Sequence, residues 1–102
     1  GENVVEDLNS RNPTIQDFAG VIAEISAVIG NDRRAVRHII KGLVNSGSVD
    51  GRIALISPHL DNLESLEILR KHRPGLRNRG KRYVLVDKYE RIFAQARQAF
   101  DR

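Results

Sequence analysis

Apolar positions recur at helical spacing from residue 15 onward, at Ile15, Phe18, Ala19, Ile22, Ile25, Val28 and Ile29. At 3.6 residues per turn they share one broad face, so the spacing predicts a helix over 14–29. Thr14, with Asp17 three positions on, makes a capping box at its start. Gly30 is the residue type that stops a helix in a positive-φ conformation, and Gly20 is a weak point that could break it midway. Asn31 belongs to the turn, and Asp32 is a second N-cap. The next helix runs over 33–45 with apolar pairs at Ala35-Val36, Ile39-Ile40 and Leu43-Val44, and ends at Ser46-Gly47.

Beyond Gly47 the period shortens towards two. Val49 and the run Ile53-Ala54-Leu55-Ile56 read as a strand that Ser57-Pro58 ends. A short helix is predicted over 61–71, with Asp61 and Glu64 as a capping box and Leu63, Leu66 and Leu69 as its apolar side. Pro74-Gly75, Asn78 and Gly80 mark a loop, and 82–86 reads as a second strand. Asp87 caps a last helix, with Glu90 three positions on completing another capping box. Its stripe is Tyr89, Ile92, Phe93, Ala96 and Phe100. Residues 1–12 read as a flexible or partly helical lead-in, and 13–102 as one domain. The fold class expected is mainly α with a small antiparallel β-sheet, in the order α-α-β-α-β-α.

Composition narrows the chemistry. The 102 residues contain no cysteine, which removes disulfides, thiolate metal sites and cysteine nucleophiles together. No apolar run reaches the eighteen or so residues that span a membrane, so no membrane partner is expected. The absence of Met and the start at Gly1 are expected of a fragment of a longer chain. The net charge of +4 conceals blocks. Residues 1–32 are acidic. Residues 33–60 carry Arg33, Arg34, Arg37, Lys41 and Arg52 against Asp50, and residues 70–82 hold seven bases and no acid. Two separated basic blocks make a polyanion footprint if the fold joins them.

The residues of 33–45 that its apolar pairs leave over are Arg33, Arg34, Arg37, His38, Lys41 and Asn45. They fall together on the side away from the core. A basic outer face that begins at a helix N-terminus suits the major groove of duplex DNA. At this point the chain resembles the winged helix-turn-helix DNA-binding family, most closely its MarR-type transcription regulators. The likeness is carried by Ile25, Ile29 and Gly30, the cap Asp32, and the pairs Ala35-Val36, Ile39-Ile40 and Leu43-Val44 before Gly47 and Val49. Tyr83 through Val86, with Asp87, Ile92 and Phe93, is similar to that family's returning wing strand and following helix. The chain departs from the family in its long first helix and in the stretch 58–80, an enlarged wing with a helix of its own.

The resemblance implies double-stranded DNA as partner, with the helix over 33–45 in the major groove. The basic loop would lie on the backbone or minor groove, through Arg73, Arg77, Arg79, Lys81 and Arg82. It implies transcription regulation or a plasmid partition or replication role, in the cytoplasm with the nucleoid. The stripe Tyr89, Ile92, Phe93, Ala96 and Phe100 is expected to form a homodimer interface. No cofactor, metal or enzymatic activity is expected. His38, His59 and His72 are never three or four positions apart, no Gly-rich phosphate loop occurs, and no nucleophile signature surrounds a serine. The aromatic residues sit in apolar stripes, which disfavours a binder of unpaired bases. Asp61, Glu64 and Glu67 are expected to cap and solvate. The competing reading is a winged-helix protein–protein interaction module within a larger assembly.

Overall fold

Two helix-capping signals set the first half of the molecule. Thr14 Oγ1 accepts the Asp17 amide at 3.2 Å while Asp17 Oδ2 accepts the Thr14 amide at 2.7 Å, the reciprocal box that opens α1 (Ile15–Ile29). Gly30 ends α1 at φ 81° and ψ −132°, a conformation that side chains with a Cβ rarely adopt. Two residues later Asp32 Oδ1 accepts the Ala35 amide at 3.1 Å and starts α2 (Arg33–Ser46). Gly20 does not interrupt α1, because it lies on an exposed face with nothing within 4 Å of where a Cβ would stand.

The structure, a computed structural model, describes residues 12–72 and 81–98 in full and residues 99–100 by their backbone. After α2 come β1 (Ser48–Asp50), α3 (Ser57–Ser65), β2 (Leu69–Lys71), β3 (Arg82–Leu85) and α4 (Asp87–Phe100). The strands form one antiparallel sheet in the order β1-β3-β2, with Val49 opposite Tyr83 and Lys71 opposite Tyr83 on the other side. The described chain is therefore mainly helical with a small antiparallel sheet, a winged-helix-like layout in which the stretch between β1 and β3 is enlarged. The lead-in over 1–11 lies outside the described residues.

Three details differ from the sequence reading. The first strand stops at Asp50, because Asp50-Gly51 turns the chain. Asp50 Oδ1 accepts the Arg52 amide at 2.9 Å, and the Ile53 amide donates to the Asp50 carbonyl. Ile53 and Leu55 then pack against the core from a turn, and Ile56 enters it fully. The third helix starts at Ser57, not Asp61, with Pro58 in its first turn, where the missing N–H costs nothing. Asp61 is thus mid-helix, and its Oδ1 accepts the Tyr83 hydroxyl at 3.3 Å instead of capping. The helix ends early because Glu67 takes φ 60°, with the Ile68 amide donating to Leu63 and the Glu67 amide to Glu64, a Schellman closure. Leu66 is left exposed, and Leu69 joins the unpredicted strand β2.

The core joins the four helices and the sheet. Ile25 of α1, Ile39 and Leu43 of α2, Leu60 and Leu63 of α3, Leu69 of β2 and Phe93 of α4 are each at most 1% exposed. Phe93 meets Phe18 edge-to-face at 5.0 Å. This corrects the expectation of a free interface stripe on α4. Ile92 and Phe93 are buried in the chain's own core, since α4 must cover α1 and α2. Tyr89 is half-buried, its hydroxyl donating to Glu24 Oε2 at 3.1 Å, and burial beside that carboxylate pushes its pKa up to about 12. Ala96 is half-buried, and the Phe100 side chain lies outside the described residues.

Phe93→Ala should therefore remove core packing and cost about 3–5 kcal/mol, read as a large fall in Tm. A folded protein with an unchanged melting curve would return Phe93 to an interface role. Glu67→Gly should raise stability by up to about 1 kcal/mol, because it relieves a left-handed residue at an exposed helix end. A lower Tm would contradict that account of how α3 stops.

Candidate nucleic-acid interface

The rotation of α2 about its axis is fixed by Ala35, Ile39 and Leu43, each 0% exposed. Successive steps of 100° then place Arg37, Lys41, Arg34 and Asn45 on the opposite side, and all four are exposed, with Arg33 beside them. His38 is turned towards the flank and is half-buried. The helix follows α1 after Gly30-Asn31-Asp32, a turn of the length that joins the helices of a helix-turn-helix. The structure thus brings Arg33, Arg34, Arg37, Lys41 and Asn45 together on one exposed face and leaves His38 out of it.

The structure also sorts the cations into two kinds. Four are engaged. Arg52 pairs with Asp50 at 2.8 Å, which draws the Asp50 carboxyl well below the usual carboxylate range. Arg82 donates from Nε and Nη2 to Ser48 Oγ at 3.0 and 2.7 Å. Arg97 donates from Nε to the Val44 carbonyl and from Nη2 to the Leu43 carbonyl, at 2.5 and 2.9 Å, with Glu90 3.6 Å away. Lys88 lies over the Tyr89 ring at 5.1 Å. By contrast, among the described residues no hydrogen bond or ion pair engages the side chains of Arg33, Arg34, Arg37 and Lys41.

Arg97 explains how that face stays charged without weakening the helix. α2 has no basic residue in its last turn, so its own carbonyls lack the usual cation. Arg97 supplies one from α4, at the point where α2 passes into β1. At the other end Asp32 serves as cap and as anion at the positive end of the dipole. The Ala35 amide holds its carboxyl below the ordinary range, and His59 Nε2 of α3, 3.4 Å from Oδ2, adds to that. Asp32 is the one acid at the start of the face, and it is committed to the cap.

The second basic block is only partly described. Arg73, Arg77 and Arg79 lie outside the described residues. Lys81 is exposed just before β3, and Arg82 is held on Ser48. The sheet adds three further residues to this end of the molecule. Arg70 sits across β3 from Ser48, sharing Val84 as neighbour, and the exposed Lys71 and His72 lead into 73–80. Only the strand β2, which was read as helix, puts Arg70 there. Of the acids of α3, Asp61 is engaged by Tyr83, whereas Glu64 lines a hollow together with Arg70 and Lys88. Among the described residues no group of His, Cys, Asp and Glu has the arrangement to hold a metal ion, and no helix is long and apolar enough to cross a membrane.

The sorting has a direct consequence. Arg97→Ala removes two charged hydrogen bonds and should destabilise the fold by about 1–3 kcal/mol. Arg37→Ala and Lys41→Ala remove uncommitted charges and should stay within roughly 0.5 kcal/mol of the parent. Thermal melts of the three variants check this. Equal losses at all three positions would mean that the α2 cations are structural too.

Comparison of the chain with protein-family models, with curated proteins and with solved structures finds no match.

Proposed function

We propose that the protein binds duplex DNA, with the exposed face of α2 in the major groove. The observation that carries this reading is the contrast between the two kinds of cation. Charge that serves the fold is paired or capped, whereas Arg33, Arg34, Arg37 and Lys41 stand together on one rigid helix with no hydrogen bond or ion pair among the described residues. Four repelling charges kept side by side are explained by an anion outside the chain. A helix is the element that the major groove admits, and its first turns are where side chains reach base edges.

Arg34 and Arg37 occupy those first turns and take the base-reading role, as bidentate donors to guanine. Lys41 and Asn45 lie further along the helix and reach the backbone. Arg70, Lys71 and Lys81 add phosphate contacts from the sheet end. A second copy would place two such helices about one DNA turn, roughly 34 Å, apart and favour a two-fold site. Ile92 and Phe93 of α4 are buried in the chain's own core and are not available for that self-association. Transcription regulation and replicon maintenance both need such a module, and either role fits this reading.

The test is titration of a labelled duplex at several salt concentrations. If six or more phosphates are engaged, affinity should fall on the order of a thousandfold between about 50 and 200 mM salt. Arg34→Ala or Arg37→Ala should cost roughly 1–3 kcal/mol on a preferred sequence and blur discrimination. Lys81→Ala should weaken all sequences alike and lower the salt slope by about one. Salt-independent binding, or none at low salt, would overturn the proposal in favour of a protein-interaction module.

A further inference from the structure

Phe18 separates two apolar depressions that DNA has no means of filling. On one side a hollow of about 400 Å³ has Phe18, Ile40 and Val44 as its floor and Arg37, Lys41 and Asn45 as its rim. On the other a hollow of about 550 Å³ runs between the start of α1 and the later turns of α4, past Ile15, Ile92 and Ala96, with Thr14 and Gln95 as its polar members. Sharing Phe18, the two hollows line one furrow with an apolar floor, and its cations stand at the α2 end only. Ile15, at its neutral end, is 86% exposed, the most exposed large apolar side chain of the described residues. Phe18 itself is braced from below by Phe93, so the ridge between the hollows is fixed.

We infer that this furrow docks an acidic amphipathic helix of a partner protein, which competes with DNA for Arg37 and Lys41. The chemistry selects the occupant. Apolar residues at i, i+3 or i+4, and i+7 of a helix are the anchors that hydrophobic grooves accept. The Arg37 and Lys41 rim, without an acid of its own among the described residues, asks for carboxylates beside those anchors at one end. A phosphate backbone would satisfy the rim and leave Ile15, Phe18 and Ile40 in water. A neutral apolar peptide would cover the floor and bury or strand the two cations. An acidic amphipathic helix satisfies both, and reaches the charges that the nucleic acid uses. The docking site stands on the furrow alone. The competition rests on the DNA reading given above.

The experiment titrates the full chain with a fluorescein-labelled helical peptide of about 14 residues, long enough to hold some helix alone. It carries Leu at i, i+3, i+4 and i+7 and Glu on the flanks at one end. A second peptide has every Glu replaced by Lys, and a labelled duplex is titrated in parallel. The acidic peptide should bind and the Lys version should bind at least about tenfold more weakly. Ile15→Ser, at an exposed site outside the DNA face, should lower peptide affinity about tenfold and leave duplex affinity unchanged. Lys41→Ala should weaken both ligands, and unlabelled duplex should displace the peptide.

Duplex binding with no affinity for either peptide would overturn the docking site and leave the DNA reading intact. Peptide binding that Ile15→Ser weakens, with no duplex binding at low salt, would support the site and remove the competition. Equal binding of the Glu and Lys peptides would overturn the charge argument. Concentration-dependent self-association in place of peptide binding, abolished by Ile15→Ser, would mean that a second copy fills the furrow, and would also overturn the proposal.

Discussion

The burial of Ala35, Ile39 and Leu43 is the contact on which the surface of the molecule depends. These side chains point between α1, the sheet and α4, and a helix whose inner line is fixed has its outer line fixed as well. One residue of slip would turn α2 by 100° and carry Arg37 or Lys41 towards the core, at the cost of burying an unpaired charge. The arrangement is therefore self-enforcing. The apolar pairs at four-residue intervals define the inside, and the cations cannot share it. Gly42 marks how close the packing is, since a Cβ there would stand 2.9 Å from Val49 Cγ1 and 3.2 Å from the Ser48 carbonyl.

Both ends of α2 are finished by residues from elsewhere in the chain. Asp32 and His59 close the N-terminal end against α3, and Arg97 closes the C-terminal end from α4. The helix that presents the charge is thus tied at its ends to α3 and α4 and is rigid enough to aim side chains. A long arginine on such a frame loses less freedom on binding than one on a loop. This is the physical difference between the α2 face and a basic run that merely keeps a protein soluble.

What the sequence shows of this follows the strength of each local signal. α1, α2 and α4 were legible because they are long and amphipathic, although only Thr14 and Asp32 cap their helices, Asp87 standing inside the first turn of α4 instead of capping it. The middle was not. Asp50-Gly51 is a turn pair hidden inside an apolar stretch, and Pro58 reads equally as the end of a strand or the start of a helix. Leu63, Leu66 and Leu69 keep a helical rhythm, yet Glu67 enters the left-handed region and splits them between a helix, solvent and a strand. On the site, the α2 face was legible because periodicity alone separates its two sides. The commitment of Arg82 and Arg97 was not, because their partners lie 34, 53 and 54 positions away. Nor was the role of Ile92 and Phe93, since an apolar stripe looks the same whether the chain itself or a second molecule covers it.

The central claim is that α2, and not the acidic α3, meets the nucleic acid. Amide chemical-shift mapping by NMR, with a short duplex added at low salt, tests it at every residue. The account predicts that the largest shifts fall on residues 33–45, with a second group at 70–72 and 81, while those of α3 over 57–65 stay small. Shifts concentrated on α3, or none anywhere at saturating duplex, would contradict it.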